Sequence, residues 1–406
     1  MLPSARAPVV TQFVVYKAGS ADETFGRTGL AHLLEHMMFK GTAALSPGQF
    51  SRTIQRNGGH DNAYTTFDVT AYHQTIASDR LELVMRLEAD RMSGLRILEE
   101  ELAPEREVVL EERRMRIDNV PAALLDESVR AALFGARNPY GMPTAGYVDD
   151  VKKLGAEELS TFYRRFYGPD NAVLIVAGDS TADAVRRLAE THYGPIPARG
   201  LVARHRPADG GTGLPRRLTR TDRRVAEPGW SRDYLAPSYR LGEARHAYAL
   251  QVLARLFGGG ETSRLWRALV VEQRLALSAS ADYDPSHLGL TSFGISVHPA
   301  AGRDVSEIET AVAGQMKSVL DGDVTAEEVE RAQNRLLAAA IYARDSLASG
   351  PRRYAAALGT GNSVADIDAW PERISAVRVA DVVAAAQHVW RDDRSVTSLL
   401  LPEAGR

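Results

Sequence analysis

Two stretches of this 406-residue chain can be laid, without gaps, on two later stretches. "VKKLGAEELSTFYRRFYGPDNAVLIVAG" from Val151 falls on "ISAVRVADVVAAAQHVWRDDRSVTSLLL" from Ile374, so that Leu154 meets Val377, Glu158 meets Asp381, Tyr167 meets Trp390 and Val173 meets Val396. "AHLLEHMMFKG" from Ala31 falls on "ALQVLARLFGG" from Ala249, with Phe39 on Phe257. The offsets, 249 − 31 = 218 and 374 − 151 = 223, differ by no more than a short loop. A repeat of this size means that one structural plan is built twice. Between the copies, "ARGLVARHRPADGGTGLPRR" is rich in Gly, Pro and Arg and has no periodicity, which reads as a linker. The expectation is an α+β protein of two homologous α/β-sandwich halves, 1–197 and 218–406, joined by a linker over 198–217. Each half would pack helices on a mixed sheet, and the two would close as a clam shell.

Local patterns fill in the first copy. "VVTQFVVYKAG" is apolar and β-branched, a strand closed by Gly19. A helical pattern runs from Gly29 to Gly41, and "SPGQFSRTIQRNGG" reads as a second helix capped by Ser46 with Pro47 in its first turn. "NAYTTFDVTAYHQTIA" alternates throughout and reads as one strand. Ser78 to Arg116 is helical with a break near Pro104. "EEVERAQNRLLAAAIYARDSL" is an amphipathic helix expected to pack, and "LFGGGETSRLW" lacks the Gly-Lys-Ser/Thr ending of a phosphate-binding loop.

Composition then narrows the chemistry. A net charge of −3 gives no electrostatic case for nucleic acid or an anionic membrane surface. No apolar run approaches the roughly 20 residues that span a bilayer, so a soluble chain is expected. With no cysteine, disulfides and thiolate ligands are excluded, and any bound zinc must use His and carboxylate. "AHLLEHMMFKGT" supplies both: on a helix, positions 32 and 36 lie about 40° apart and 35 about 60° from 32. His32 and His36 can reach one ion with Glu35 beside them. The second copy has Leu250, Leu253 and Ala254 at those places, so core packing does not demand the polar trio. A catalytic zinc takes a third protein ligand. "PEREVVLEERRMR" offers Glu105, Glu107, Glu111 and Glu112, of which Glu105 and Glu112, two turns apart, share a face. The order H-x-x-E-H is the inverse of the common H-E-x-x-H zinc signature.

"GLAHLLEHMMFKGT", "NAYTTFDVTAYHQTI", "EREVVLEE" and "YGPDNAVLIVAGD", in that order, resemble the pitrilysin-type zinc peptidases, and among them the bacterial relatives of the mitochondrial processing peptidase β subunit. The resemblance implies a zinc endopeptidase binding one Zn²⁺ through His32, His36 and Glu112, with Glu35 as the catalytic acid–base and Glu105 supporting a ligand. It implies peptide substrates, added as an edge strand at Asn62 and Ala63, with Asn62 on the substrate backbone and Phe39 as a pocket aromatic. His60 and His73, near the same strand, are read as surface or packed histidines.

Two departures from the family pattern matter. Active members carry an Arg and a Tyr, seven apart, in the C-terminal half; here Val270 and Leu277 stand at those positions. The expectation is a zinc-bearing subunit of a heterodimer whose homologous partner supplies the Arg/Tyr pair. The alternatives are a catalytically silent core-type subunit and a peptide-binding subunit of the same fold. The family's first strand is also missing before "APVVTQFVVYKAGS", which suggests a chain that begins inside a longer one. A periplasmic location is then favoured over a cytoplasmic one.

Overall fold

The computed structural model describes residues 1–201, 203–210, 216–343, 346–347 and 349–403; residues 202 and 211–215 of the expected linker lie outside them. Two five-stranded sheets carry the fold. The first contains β1 (Leu2–Pro3), β2 (Val9–Tyr16), β3 (His60–Thr65), β4 (Thr70–Ala77) and β5 (Ala172–Gly178), in the order β1-β5-β2-β4-β3. The second contains β6 (Arg216–Asp222), β7 (Gly229–Ala236), β8 (Ala276–Tyr283), β9 (Thr291–Pro299) and β10 (Ser395–Pro402), in the order β6-β10-β7-β9-β8. In each, the first-named strand pairs parallel with its neighbour and the other pairings are antiparallel. The sheets are therefore the same design twice, as the repeat implies.

The helices that matter for the site are α1 (Leu30–Met37), α2 (Gln49–Arg56), α3 (Leu81–Gly94), α4 (Glu99–Arg113), α5 (Pro121–Phe134) and α6 (Ala156–Phe166). Later in the chain come α7 (Ala247–Gly258), α8 (Ser349–Gly359) and α9 (Val379–Val389). Repeat partners behave alike in detail. Glu158 accepts the backbone N–H of Gly155 at 3.1 Å at the start of α6, and Asp381 accepts that of Arg378 at 2.9 Å at the start of α9. Each acidic side chain thus satisfies a donor that the first turn leaves open. Tyr167 and Trp390, which follow these helices, are both core residues, as are Leu154 and Val377.

Compact units do not follow the chain's halves. One unit comprises Met1–Arg113, Met142–His205 and Tyr342–Val364; the other comprises Arg114–Gly141, Arg206–Ile341 and Ala365–Arg406. The halves expected at 1–197 and 218–406 thus exchange a helix each. α5, from the first half, packs on β6, β7 and β10 of the second unit, and α8, from the second half, packs on β2 and β5 of the first. Ala355 of α8 completes an apolar cluster with Phe13, Val15, Val69, Ala71 and Ile175.

Three local expectations change. The alternating run from Asn62 to Ala77 is a hairpin, β3 and β4, and its turn is held by the Thr66 hydroxyl, which accepts from Asp68 N and Val69 N. The break in the 78–116 helix falls at residues 95–98, and Pro104 lies inside α4. Gly48, in a left-handed conformation, caps α2, while Ser46 bonds Gln49 instead. Among the described residues, no helix is long and apolar enough to cross a membrane.

Candidate metal centre

α1 begins where the buried Glu23 carboxylate accepts the N–H groups of Gly29 (2.9 Å) and Ala31 (2.7 Å). A carboxylate there satisfies open donors and complements the helix dipole. Leu30, Ala31, Leu33, Leu34 and Met37 make the buried face of α1. His32, Glu35 and His36 occupy the opposite, half-buried face. The helix is thus anchored by its apolar face and presents its polar one.

α4 packs on α1 and brings Glu105 and Glu112 to that polar face. Glu112 Oε2 lies 3.2 Å from His36 Nε2 and its Oε1 lies 3.9 Å from His32 Nε2. One donor atom from each of His32, His36 and Glu112 lies within 4.8 Å of the others. Their side chains are 14%, 19% and 17% exposed, dry enough to strengthen electrostatics yet open to a ligand. The trio converges, and the donor set of two imidazoles and a carboxylate is one that zinc takes.

Glu105 faces the other ring nitrogen. Its Oε1 lies 2.8 Å from His36 Nδ1, and its Oε2 pairs with Lys40 Nζ. Burial alone would raise the Glu105 pKa, but His36 and Lys40 hold it below the ordinary value. With Nδ1 turned to Glu105, Nε2 is the His36 ring atom that faces Glu112. Burial likewise opposes charge on His36, yet Glu105 and Glu112 outweigh it and raise the His36 pKa to about 9. The same negative field that holds a proton there attracts a metal cation.

Glu35 accepts a hydrogen bond from the Thr65 hydroxyl at the end of β3. Neither Thr65 nor Lys40 stood out in the sequence. Lys40 is four residues beyond His36, a spacing that could have signalled a partner on the same face; Thr65 had no such signal.

The remaining sequence candidates are placed as follows. β3 is an edge strand of its sheet, with Asn62 exposed and Ala63 half-buried on it. Phe39 is half-buried, its ring centroid 6.3 Å from that of Phe50 and 6.1 Å from that of Tyr72, so it packs against the core. His60 is exposed, and His73 is buried and stacked on Phe13 at 4.7 Å. Burial and the nearby Arg352 lower the His73 pKa to about 4, the behaviour of a packed, neutral histidine. In the second unit, Val270 is half-buried, whereas Leu277 is 52% exposed on β8, the edge strand there.

Comparison with known proteins places these features in a family context. Residues 2–146 match the sequence profile "Insulinase (Peptidase family M16)", and residues 153–336 match "Peptidase M16 inactive domain". The chain is 28% identical to the zinc protease PqqE of Helicobacter pylori over 97% of this chain and 88% of that one. It is 30% identical to an uncharacterized zinc protease of Mycobacterium tuberculosis over 91% of this chain and 83% of that one. The crystal structure of a protease from Helicobacter pylori superposes with a TM-score of 0.88 at 25% identity, covering 98% of this chain and 94% of that one.

Proposed function

The chain belongs to the peptidase M16 family, the pitrilysin type, and from that premise we propose that it is a zinc-dependent endopeptidase acting on extended peptides. The convergence of His32, His36 and Glu112 carries this reading. A bound zinc supplies a Lewis acid for the scissile carbonyl and lowers the pKa of the attacking water. His32, His36 and Glu112 would hold it. Glu105 keeps His36 in the tautomer whose Nε2 is free to ligate, and Lys40 balances the charge of Glu105. Glu35 takes the proton of the attacking water and returns it to the leaving amine nitrogen. The Thr65 hydroxyl donates to one Glu35 oxygen and so orients the carboxylate. An extended peptide would pair by its main chain with the open edge of β3 at Asn62 and Ala63, gaining affinity with little dependence on its side chains.

The zinc-bearing chain would act with a homologous partner that supplies an Arg/Tyr pair, because Val270 and Leu277 cannot hydrogen-bond substrate through their side chains. That same absence favours the second reading, a catalytically silent peptide-binding or core-type subunit. Zinc content and peptide cleavage decide between them. His36→Ala should lose one zinc per chain, and Glu35→Gln should keep the zinc while activity falls by about 10² to 10⁴. Zinc-loaded protein that cleaves no peptide, with or without a co-expressed homologous chain, would establish the silent reading; full activity of the purified chain alone would refute the heterodimer.

A further inference from the structure

A second convergence of two imidazoles and a carboxylate lies in the other unit. Glu243 caps the short turn Ala244–His246 that leads into α7, and His388 sits in the last turn of α9. The rings of His246 and His388 stack, with centroids 4.8 Å apart and planes inclined by 21°. One carboxylate faces both: Glu243 Oε2 is 3.5 Å from His246 Nε2, and Oε1 is 3.8 Å from His388 Nδ1. As at the first centre, the donor atoms all lie within 4.8 Å of one another. We propose that Glu243, His246 and His388 form a second site for a divalent transition-metal ion of the zinc class.

The distances support an ion more than a proton. Nitrogen–oxygen separations of 3.5 and 3.8 Å are long for charge-assisted hydrogen bonds. They are close to the edge of a tetrahedral ligand shell, about 3.3 Å for metal–ligand bonds of about 2.0 Å. The corresponding separations at the first centre, 3.2 and 3.9 Å, bracket the same value. His246 is buried and His388 half-buried, so both imidazoles are shielded from bulk water while a ring nitrogen of each faces the same carboxylate. Glu243 is engaged at 2.5 Å by Arg245, whose side chain is 77% exposed and free to swing into solvent when a cation takes its place. Arg245, Arg391 and Arg394 also oppose a cation near His388, so the second site should be the weaker of the two.

This site is not a relic of the duplicated first centre. Subtracting the repeat offsets, 246 − 218 = 28 and 388 − 223 = 165, places its histidines at Thr28 and Arg165 of the first copy. The ligands arose separately, on the start of one core helix and the end of another. A bound ion would tie α7 to α9 and stabilise the folded state by linkage.

Metal-free full-length chain titrated with Zn²⁺ against a chromophoric chelator should bind two equivalents. His36→Ala should keep the weaker one and show a higher melting temperature with added Zn²⁺. His388→Ala and Glu243→Gln should each lose that equivalent, and His36→Ala/His388→Ala should bind none and show no zinc-dependent shift. Glu243 is exposed, so Glu243→Gln keeps the test decisive even if His388→Ala fails to fold. A wild type with no equivalent that is lost in both His388→Ala and Glu243→Gln overturns the proposal. Failure of the first centre reads differently, as the absence of any equivalent sensitive to His36→Ala.

Discussion

α1 and α7 are the same helix in two settings. In α1 the positions 32, 35 and 36 carry His, Glu and His on a half-buried face beneath α4; in α7 the matching Leu250, Leu253 and Ala254 are 0%, 0% and 7% exposed. The scaffold tolerates either solution, but only where the neighbouring helix supplies partners. Glu105 and Glu112 offset the cost of a polar face on α1, whereas the face of α7 is closed by apolar side chains. Chemistry in this fold is therefore a property of a helix pair.

That contrast can be broken most sharply by exchange. Leu253→Glu, which puts a carboxylate where α7 has no partner for it, should cost about 3–5 kcal/mol and lower the melting temperature of its unit markedly. The reverse change, Glu35→Leu, should leave melting nearly unchanged while abolishing the proposed cleavage. A comparable loss of about 3–5 kcal/mol is expected for Arg91→Met in the first unit, read by chemical denaturation. Arg91 is buried beneath the site, bonded to the equally buried Glu88 and lying over the rings of Phe39, Phe50 and Tyr72, so its removal strands a carboxylate. Glu105→Ala is milder: zinc affinity should fall about 10- to 100-fold, with the fold intact by circular dichroism.

The smallest effect is in the pH dependence, and the units should differ in sign. Phe13 and His73 are cross-strand partners in the first sheet; in the second, Asp233 pairs with Gly294, at the place that Val15 and Ala71 hold in the first. Burial lowers the His73 pKa to about 4, so its unfolded form binds protons more readily and stability falls as pH drops from about 6.5 to 4. Burial, with Asp126 nearby, pushes Asp233 up to about 7, so its contribution is fullest below about pH 4 and fades as pH rises to 7. His73→Gln should flatten the acid limb of a melting profile and Asp233→Asn the neutral limb; parallel profiles for wild type and both variants would refute the assignment.

Much of this was legible in sequence because it is periodic. The repeat offset implied one sheet design used twice, and helical spacing put His32 with His36 and Glu105 with Glu112. What escaped has no period. The β3–β4 turn carries no Gly or Pro and rests on the Thr66 hydroxyl, so the alternation ran through it unbroken. Glu88 and Arg91, three apart on α3, look like a solvated pair; burial under three aromatic rings and the bond from Gln74 to Glu88 are tertiary facts. The exchange of α5 and α8 was hidden for the same reason: an amphipathic helix announces an apolar face without saying which sheet will cover it.

That exchange bears on how the protein is made. The ribosome completes Glu112, the last residue of the first centre, 237 residues before it reaches Ser349 and the helix that covers the adjoining sheet (349 − 112 = 237). Over that interval the nascent first half holds its ligands but lacks one wall of its core, and its exposed apolar strands are open to chaperones and to mispairing. Competence for the proposed cleavage is thus expected only once α8 has been made and packed on β2 and β5.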